Sequence, residues 1–489
     1  MNVRVERKKT FAKNLRAKAA RALFKKGALF AALSLFCAPL FADWNSLSIP
    51  DSAEIRRQIS REWFESSLDV LRGLNSEIRT NQIGVQFQVR LEEQQEVFLT
   101  IVAPKSQMKV DVYEAAGVRT ATEDSYNMES PGAWILVRSK KDGSPLLSRY
   151  YFAKDPGVYV QFRPNKEASL ADLVIFENYA ARGVPLGVPF EKFYTASFAE
   201  IQGLTKGNLP WKNVEPRAGH YDDTLVMIQT IRDSLGNIAY VDDAAYNEEG
   251  KPVAIHNGQA RFVPENFRRS LTLSSAGFVK WICDGLVEPL AGSYLKLGPL
   301  VKETVETNPT GSQGVLASRW NANFSLDWTR NLAAAVLSVR SKKTIMYPDS
   351  GVDVSIEPFA ARWTANGVQS AAGYIKNTGY KIQYLKPLLY VLATLNPQYF
   401  YLAAIRQTGK DAKGNEIKVF NDAAAIFPYF DSEGRFKATV FYDGAEYTLQ
   451  QFCDSFAGMK AGDSFAHLTR VKASAKFYPQ EPPKDLKND

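Results

Sequence analysis

Residues 271–286, LTLSSAGFVKWICDGL, decide the fold of the larger part of this 489-residue chain. Ser274 and Ser275 form a polar turn, after which apolar side chains recur at helical spacing, as listed here: Phe278, Val279, Ile282, Leu286 and Leu290. The pattern predicts a helix that begins at the two serines and packs one face into a core. Ser275 has two interpretations at such a position: it is a simple helix cap, or it stands where a catalytic nucleophile would stand.

The segments around this helix predict a mixed α+β domain over residues 205–477. Helical patterns come first, at residues 222–234, at a segment opening at Ser325 or Asp327, and at residues 384–396, with one hairpin over 237–258. Strand patterns return later, at residues 399–407, 422–430 and 435–444. Helices followed by a β-meander are typical of the α+β class.

This order, together with one motif, resembles the NlpC-type cell-wall peptidases, a permuted papain-like family. In that family a helix opens with D-C-S-G-F/L-V, and its Cys is the nucleophile. Here the run from Ser274 to Val279 reads S-S-A-G-F-V, so that Ser275 takes the Cys position. The segment NDAAAIFPYFDSEGRF, 421–436, resembles the family's H-V-G-I-Y strand and hairpin. The position of the catalytic His then falls on Asp422 or Asn421.

The resemblance implies a papain-like fold without the family's catalytic pair. Neither Asp422 nor Asn421 can act as a neutral imidazole base. We therefore expect an inactive scaffold that binds cell-wall peptide, glycan or an envelope protein, and that uses no cofactor. One alternative is an active cell-wall peptide hydrolase in which Ser275 is activated by a displaced histidine, His467 or His256. Another is a structural envelope protein that is unrelated to peptidases.

The segment before this domain predicts a helix and a β-sandwich. Residues 43–80 contain a helical pattern at 51–73, where Asp51 and Glu54 suggest a capping box. Residues 81–204 contain short runs of alternating apolar and polar residues separated by turns. Regularly spaced strands with one apolar face are typical of a β-sandwich.

The first 42 residues have the pattern of an export signal. Residues 1–26 contain ten Lys or Arg and one acid, and residues 27–42 contain no charge. The pattern predicts export to the periplasm or cell surface. The alternative is that the segment stays uncleaved and anchors the chain, and this anchor would then be its only contact with the membrane. The whole chain has 60 basic and 52 acidic residues, so 50 and 51 remain without this segment. This balance argues against nucleic-acid binding, which needs a basic surface.

The remaining candidates have structural explanations beside the functional ones. Cys283 and Cys453 either pair in an oxidising compartment or stay as separate buried thiols. The distinctive run 326–333 contains Arg330, which we interpret as a buried pairing residue. Residues 478–489, rich in Pro and charge, predict a disordered tail.

Acidic and aromatic clusters are weaker candidates for a site. Paired acids can hold calcium, but they lack the spacing of a calcium loop, so no metal is expected: Asp222–Asp223, Asp242–Asp243 and Glu248–Glu249. Aromatic side chains could line a peptide or glycan groove, although such residues usually belong to the core: Trp281, Trp320, Trp328, Trp363, Tyr374 and Tyr380.

Overall fold

The computed structural model of this chain describes residues 49–114, 117–305, 322–410, 414–456 and 464–482. The predicted export signal at 1–42 lies outside these residues. Within them, the α+β class is confirmed, with two antiparallel sheets and helices packed against both. No helix in this part of the chain is both long and apolar enough to cross a membrane.

The first ten strands follow one another along the chain with short turns. They are β1 (Glu77–Thr80), β2 (Gln86–Glu93), β3 (Val97–Pro104), β4 (Ser106–Glu114), β5 (Gly117–Ser125), β6 (Trp134–Ser139), β7 (Pro145–Tyr151), β8 (Val158–Asn165), β9 (Ala168–Ile175) and β10 (Asn178–Leu186). Eight of them hydrogen-bond in a single antiparallel sheet, here called sheet A, while β4 and β5 form a separate two-stranded hairpin.

Sheet A differs from the predicted sandwich because helices of the same segment pack on its apolar face. These are α1 (Ala53–Ile59), a π-helical turn (Ser60–Phe64), α2 (Leu68–Arg72), α3 (Lys192–Thr195) and α4 (Phe198–Thr205). Phe162 of β8, for example, stacks on Phe193 of α3 with the ring centroids 3.8 Å apart. Strand alternation shows that one face is buried, but it does not show what buries it.

The helix predicted over 51–73 is interrupted, and its capping box does not form. The Asp51 carboxylate does accept the backbone N–H of Ala53 at 2.9 Å. The Glu54 carboxylate instead accepts the backbone N–H of Gln82 at 3.2 Å. Glu54 therefore ties α1 to the turn before β2 and does not close the first turn of the helix.

The later part of the chain supplies the remaining helices. They are α5 (Asp222–Ser234), α6 (Ser275–Ala291), α7 (Leu297–Leu300), α8 (Phe324–Ser341), α9 (Tyr347–Ser350), α10 (Leu385–Leu395) and α11 (Leu449–Ser455), with 3-10 turns at Trp211–Asn213, Leu235–Asn237, Glu265–Phe267 and Ile382–Tyr384. The predicted α5 and α10 agree with the structure. Helix α8 begins earlier than predicted, with Asn323 and neither Ser325 nor Asp327 at its cap position.

The later strands form short pairs and a second large sheet. They are β11 (Ile238–Tyr240), β12 (Ala244–Tyr246), β13 (Pro252–Ala254), β14 (Leu271–Leu273), β15 (Ala361–Thr364), β16 (Gly367–Ser370), β17 (Tyr380–Lys381), β18 (Tyr399–Lys410), β19 (Glu416–Phe430), β20 (Phe436–Tyr442), β21 (Ala445–Thr448) and β22 (Phe465–Lys472). Sheet B has the strand order β17-β22-β18-β19-β20-β21, and β15 and β16 extend sheet A beyond β10.

Sheet B separates two cores. On one face, α6 and α8 pack through residues such as Phe278 and Trp328 against Phe400, Leu402 and Phe427. On the other face, α10 and sheet B share a single core cluster with sheet A and helices α1 to α4. The predicted boundary at residue 204 therefore does not separate two cores, since the 205–477 segment contributes to both sheets.

The predicted disordered tail is wrong for its first residues, which lie against α6. The backbone N–H of Tyr478 donates to the Gly285 carbonyl at 2.9 Å, and the indole N–H of Trp281 donates to the Gln480 carbonyl at 2.9 Å. A Cβ at Gly285 would lie 2.8 Å from the Pro479 Cα, so glycine makes room for this segment. Residues 483–489 lie outside the described residues.

Candidate functional site

The first turn of α6 is capped by Ser274, and not by Ser275. The Ser274 hydroxyl accepts the backbone N–H of Gly277 at 3.1 Å, which satisfies one of the free N–H groups at the helix start. Ser274 also donates its own N–H to the Ala244 carbonyl, at 2.9 Å. The simple cap interpretation of Ser275 is therefore wrong, and its hydroxyl is available for another partner.

Gly277 is needed because β12 crosses very close to the start of α6. A Cβ at this position would lie 2.0 Å from the Ala244 carbonyl oxygen. The same carbonyl receives the Ser274 N–H, so β12 and the helix start are fixed to each other at one point. The glycine of the S-S-A-G-F-V motif thus has a packing role that fixes where Ser275 stands.

Ser275 and Asp422 meet in the structure. Ser275 is the first residue of α6 and is 5% exposed, and it lies close enough to Asp422 for its hydroxyl to lower the pKa of that carboxyl. Asp422 lies on β19 beside a β-bulge: Ile405 pairs with Asp422 and Arg406 pairs with Phe420, which leaves Asn421 without a partner on β18. A bulge redirects the neighbouring side chains.

The Asp422 carboxylate is held by donors from two strands, with a helix start beside it. Its Oδ2 accepts the Gln407 side-chain N–H at 3.1 Å and the Tyr442 hydroxyl at 3.3 Å, and the Ser275 hydroxyl lies nearby. Burial raises the pKa of Asp422, and Tyr442, Gln407 and Ser275 oppose this rise without cancelling it. Asn421 is exposed and belongs to the bulge, and not to this set of hydrogen bonds.

Two further ionisable groups surround this carboxylate. Partial burial and the neighbouring Asp422 raise the pKa of Asp443 to about 6. Burial, followed by the charges of Asp443, Asp422 and Asp242, raises the pKa of Tyr240 to about 12. The site is therefore acidic, with carboxyls that bind protons more readily than usual, and it lies at the positive end of α6.

His467 does not lie with Ser275 but in a second polar cluster. It stands on β22 opposite Ala404, so that β18 separates it from β19 and Asp422. Its Nε2 lies 3.3 Å from Arg330 Nη2, 3.3 Å from the Tyr374 hydroxyl and 3.4 Å from the Asp353 carboxylate. The structure therefore contradicts its selection as the displaced base, because that nitrogen is already engaged by this cluster.

This second cluster, which we call the Arg330 network, consists of Arg330, Asp353, His467, Tyr347 and Tyr374. Arg330 on α8 is 1% exposed and donates to Asp353 Oδ2 at 2.7 Å, as the buried pairing predicted from the sequence requires. The Tyr347 hydroxyl donates to the same oxygen at 2.9 Å. The network joins α8, the segment after α9 and β22.

The pKa shifts in the Arg330 network are opposite to those around Ser275. Burial alone would raise the pKa of Asp353, but His467 and Arg330 outweigh it and lower the pKa to about 2. Burial lowers the pKa of His467, and the positive charge of Arg330 lowers it further. The Asp353 carboxylate raises this pKa but does not outweigh the two other effects. Asp353 is thus a stable anion beside a permanent cation.

His256 pairs with a different carboxylate. Its Nδ1 is hydrogen-bonded to Asp243 Oδ2, and its backbone N–H donates to Asp243 Oδ1 at 3.0 Å. Asp243 has a left-handed backbone, with φ of 57°. The acidic pairs considered as calcium ligands do not converge, since no group of three or more metal-ligating side chains occurs in the described part of the chain.

The aromatic groove considered from the sequence is also not formed by the expected residues. Trp281 and Trp328 are buried in the core beneath sheet B, and Tyr380 is buried in the other core. Trp363 is exposed, and Trp320 lies outside the described residues. Cys283 and Cys453 are both free thiols, and burial raises the pKa of each, that of Cys453 to about 12.

A groove that the sequence did not indicate opens between sheets A and B. Its volume is about 1260 Å³, and residues of β7, β8, α10, β20 and β21 contribute to its walls. It adjoins the surroundings of Asp422, because the Tyr442 ring packs 6.2 Å from the ring of Tyr447, which lines the groove. No local pattern would have found it, since its walls come from both sheets.

Comparison with known protein families gives a match to part of the chain. A family model described as Domain of unknown function (DUF8515) matches residues 45–213, about a third of the chain. This span contains α1 to α4 and strands β1 to β10, and it ends before Ser275 and sheet B. No curated protein and no solved structure matches the chain.

Proposed function

We propose that this protein is an exported, non-catalytic binding module of the cell envelope, built on a degenerate NlpC-like scaffold. The proximity of the Ser275 hydroxyl to the Asp422 carboxylate carries the proposal. Ser275 stands at the start of a helix and takes the nucleophile position in the motif comparison. Beside it lies Asp422, the strand residue that takes the base position. The ligand is a cell-wall peptide, a glycan or an envelope protein.

The chemistry of this pair supports binding over catalysis. A serine hydroxyl needs a strong, well-placed base, and a carboxylate is a much weaker base than imidazole. Asp422 also shares its charge among Ser275, Gln407 and Tyr442. Ser275 is 5% exposed, so attack on a substrate would require the helix start to move away from β19.

The export part of the proposal depends on residues 1–42, whose basic and apolar segments have the order of a secretory signal. N-terminal sequencing of the protein recovered from the envelope fraction tests it. Export with cleavage gives a chain that starts near Asp43. Intact protein in the cytoplasmic fraction would contradict the proposed location.

A cleavage assay tests the non-catalytic part. The purified protein is incubated with peptidoglycan fragments, and the products are separated by chromatography. We expect no release of fragments from the parent protein, from Ser275→Ala or from Asp422→Ala. Cleavage by the parent that is lost in Ser275→Ala and retained in Ser338→Ala, a matched change on α8, would show that the protein is a hydrolase.

A further inference from the structure

We propose that the groove between sheets A and B is the binding site of the module, and that it takes an extended, acidic peptide segment of a protein partner. This inference depends on the proposed binding function and specifies its site and ligand class. A groove of about 1260 Å³ is larger than most small-molecule pockets, which are about 300–1,000 Å³, and suits several residues of an extended chain.

The charge of the groove favours an anionic ligand. Six cationic side chains line it against four acidic ones. Arg232 is already paired, donating to both carboxylate oxygens of Glu446 at 2.6 Å. Among the residues that the structure describes, no salt bridge joins Lys381, Lys386 or Lys437 to an acid. These three lysines therefore remain as a cationic surface on the groove walls.

The aromatic rings of the groove favour a peptide over a glycan. Sugars bind to aromatic rings through open ring faces, whereas cations cover a face of two of the groove's rings, Tyr159 and Phe176. The Arg149 guanidinium lies 4.2 Å from the Tyr159 ring centroid, and the Lys386 ammonium lies 4.2 Å from that of Phe176. The rings thus hold the cations in position, and the cations are the groups presented to carboxylates.

Fluorescence anisotropy with a defined probe tests the inference on the whole exported protein. The probe is a labelled peptide of alternating Glu and Ala, and its control has Gln in place of Glu. We expect saturable binding of the acidic peptide that weakens as salt rises, because exposed charges are screened over about 8 Å at physiological ionic strength. The Gln peptide should bind about tenfold more weakly.

Variants locate the binding surface. The triple change Lys381→Gln, Lys386→Gln and Lys437→Gln should weaken binding of the acidic peptide about tenfold. The matched triple Lys212→Gln, Lys296→Gln and Lys472→Gln removes the same charge from exposed positions outside the groove and should change binding by less than about twofold. Urea midpoints compare the folding of both variants with that of the parent.

Three results would overturn the inference. The first is that the acidic peptide does not bind. The second is that both triple variants weaken its binding equally. The third is that a uronate oligosaccharide of equal charge binds and the acidic peptide does not, which would make the groove a glycan site. In each case the proposed binding function is judged separately, because only Ser275-dependent cleavage of peptidoglycan contradicts it.

Discussion

Two polar clusters lie against the same sheet, and they use the same residue type in opposite ways. At the start of α6, Asp422 accepts hydrogen bonds from neutral donors, and its pKa is raised. In the Arg330 network, Asp353 pairs with a buried guanidinium, and its pKa is lowered to about 2. A carboxylate beside neutral groups can exchange its proton, whereas a carboxylate beside a permanent cation is fixed as an anion.

The difference separates a cluster with a structural role from one that remains a candidate site. The Arg330 network joins α8 and β22 to the segment after α9 through charge-assisted bonds, and removing one partner would leave a buried charge. The Ser275 site contains neutral donors whose loss is tolerated better. The four predictions that follow test this contrast, and the expected effect decreases from one to the next.

The Arg330→Met change should have the largest effect on stability. It leaves the Asp353 carboxylate without its cation, and breaking a buried pair in this way costs about 3–5 kcal/mol. Urea unfolding measures the loss. Arg435→Met is the control, because its pair with Glu433 is exposed on both sides and should change stability by under about 1 kcal/mol. Equal effects of the two changes would contradict a structural role for the Arg330 network.

The Gly277→Ala change should destabilise the start of α6. Its Cβ would lie 2.0 Å from the Ala244 carbonyl oxygen, and such overpacking costs about 1–3 kcal/mol. Gly298→Ala, where a Cβ meets nothing within 4 Å, is the matched control and should be neutral or slightly stabilising. Thermal unfolding of both variants compares them. If Gly277→Ala left the unfolding temperature unchanged, β12 would not fix the start of α6.

The Ser275→Ala change should cost about 1 kcal/mol at neutral pH, the usual worth of one hydrogen bond. The Ser275 hydroxyl lowers the pKa of Asp422 against the effect of burial, so its loss raises this pKa further. The cost is therefore largest where Asp422 is ionised, and it shrinks as pH falls and the carboxyl becomes protonated. Urea unfolding of the parent and the variant at several values between about pH 4 and pH 8 measures how this cost depends on pH. A cost independent of pH would place Ser275 away from Asp422.

The Asp443→Asn change should have the smallest effect on stability, and it should stabilise the protein where the other three changes destabilise it. The folded-state pKa of Asp443 is raised to about 6, so the stability that its protonated form contributes is lost as pH rises through 6. The variant should be more stable than the parent above that pH, by under about 1 kcal/mol because much of the side chain still reaches solvent, and equal to it at about pH 3, below both pKa values. Asn also tolerates the left-handed backbone at this position, where φ is 50°. A loss of stability at high pH would contradict the acidic environment of this site.

The sequence predicted the elements well where the pattern was local. Helices α5 and α10 and the paired strands β19 and β20 follow directly from periodicity and turn residues. The juxtaposition of Ser275 with the 421–422 segment was predicted through the motif. The identity of the cap was not, because two adjacent serines are equivalent in sequence and only the backbone at Ser274 has the extended conformation of a cap.

Features that depend on distant segments were not accessible from the sequence. The position of His467 depends on the strand order of sheet B, which places β18 between β22 and β19. The Arg330–Asp353 pair depends on how α8 packs against the segment after α9, and the groove depends on the separation of two sheets. Alternation also could not reveal that helices cover sheet A, since a strand's pattern is the same under a helix or a second sheet.

The most direct test introduces the Cys and His of the NlpC-type motif at positions 275 and 422 and measures the acidity of the thiol. In the double variant Ser275→Cys with Asp422→His, the rate of alkylation by iodoacetamide is followed against pH, with the parent as the blank for its own thiols. The account predicts an introduced thiol with a pKa well below the usual value of about 8.5, because a helix start and an adjacent imidazole stabilise thiolate. Ser275→Cys alone should retain a higher pKa beside the Asp422 carboxylate. If both variants give the same thiol pKa, residues 275 and 422 do not form the vacated nucleophile and base positions.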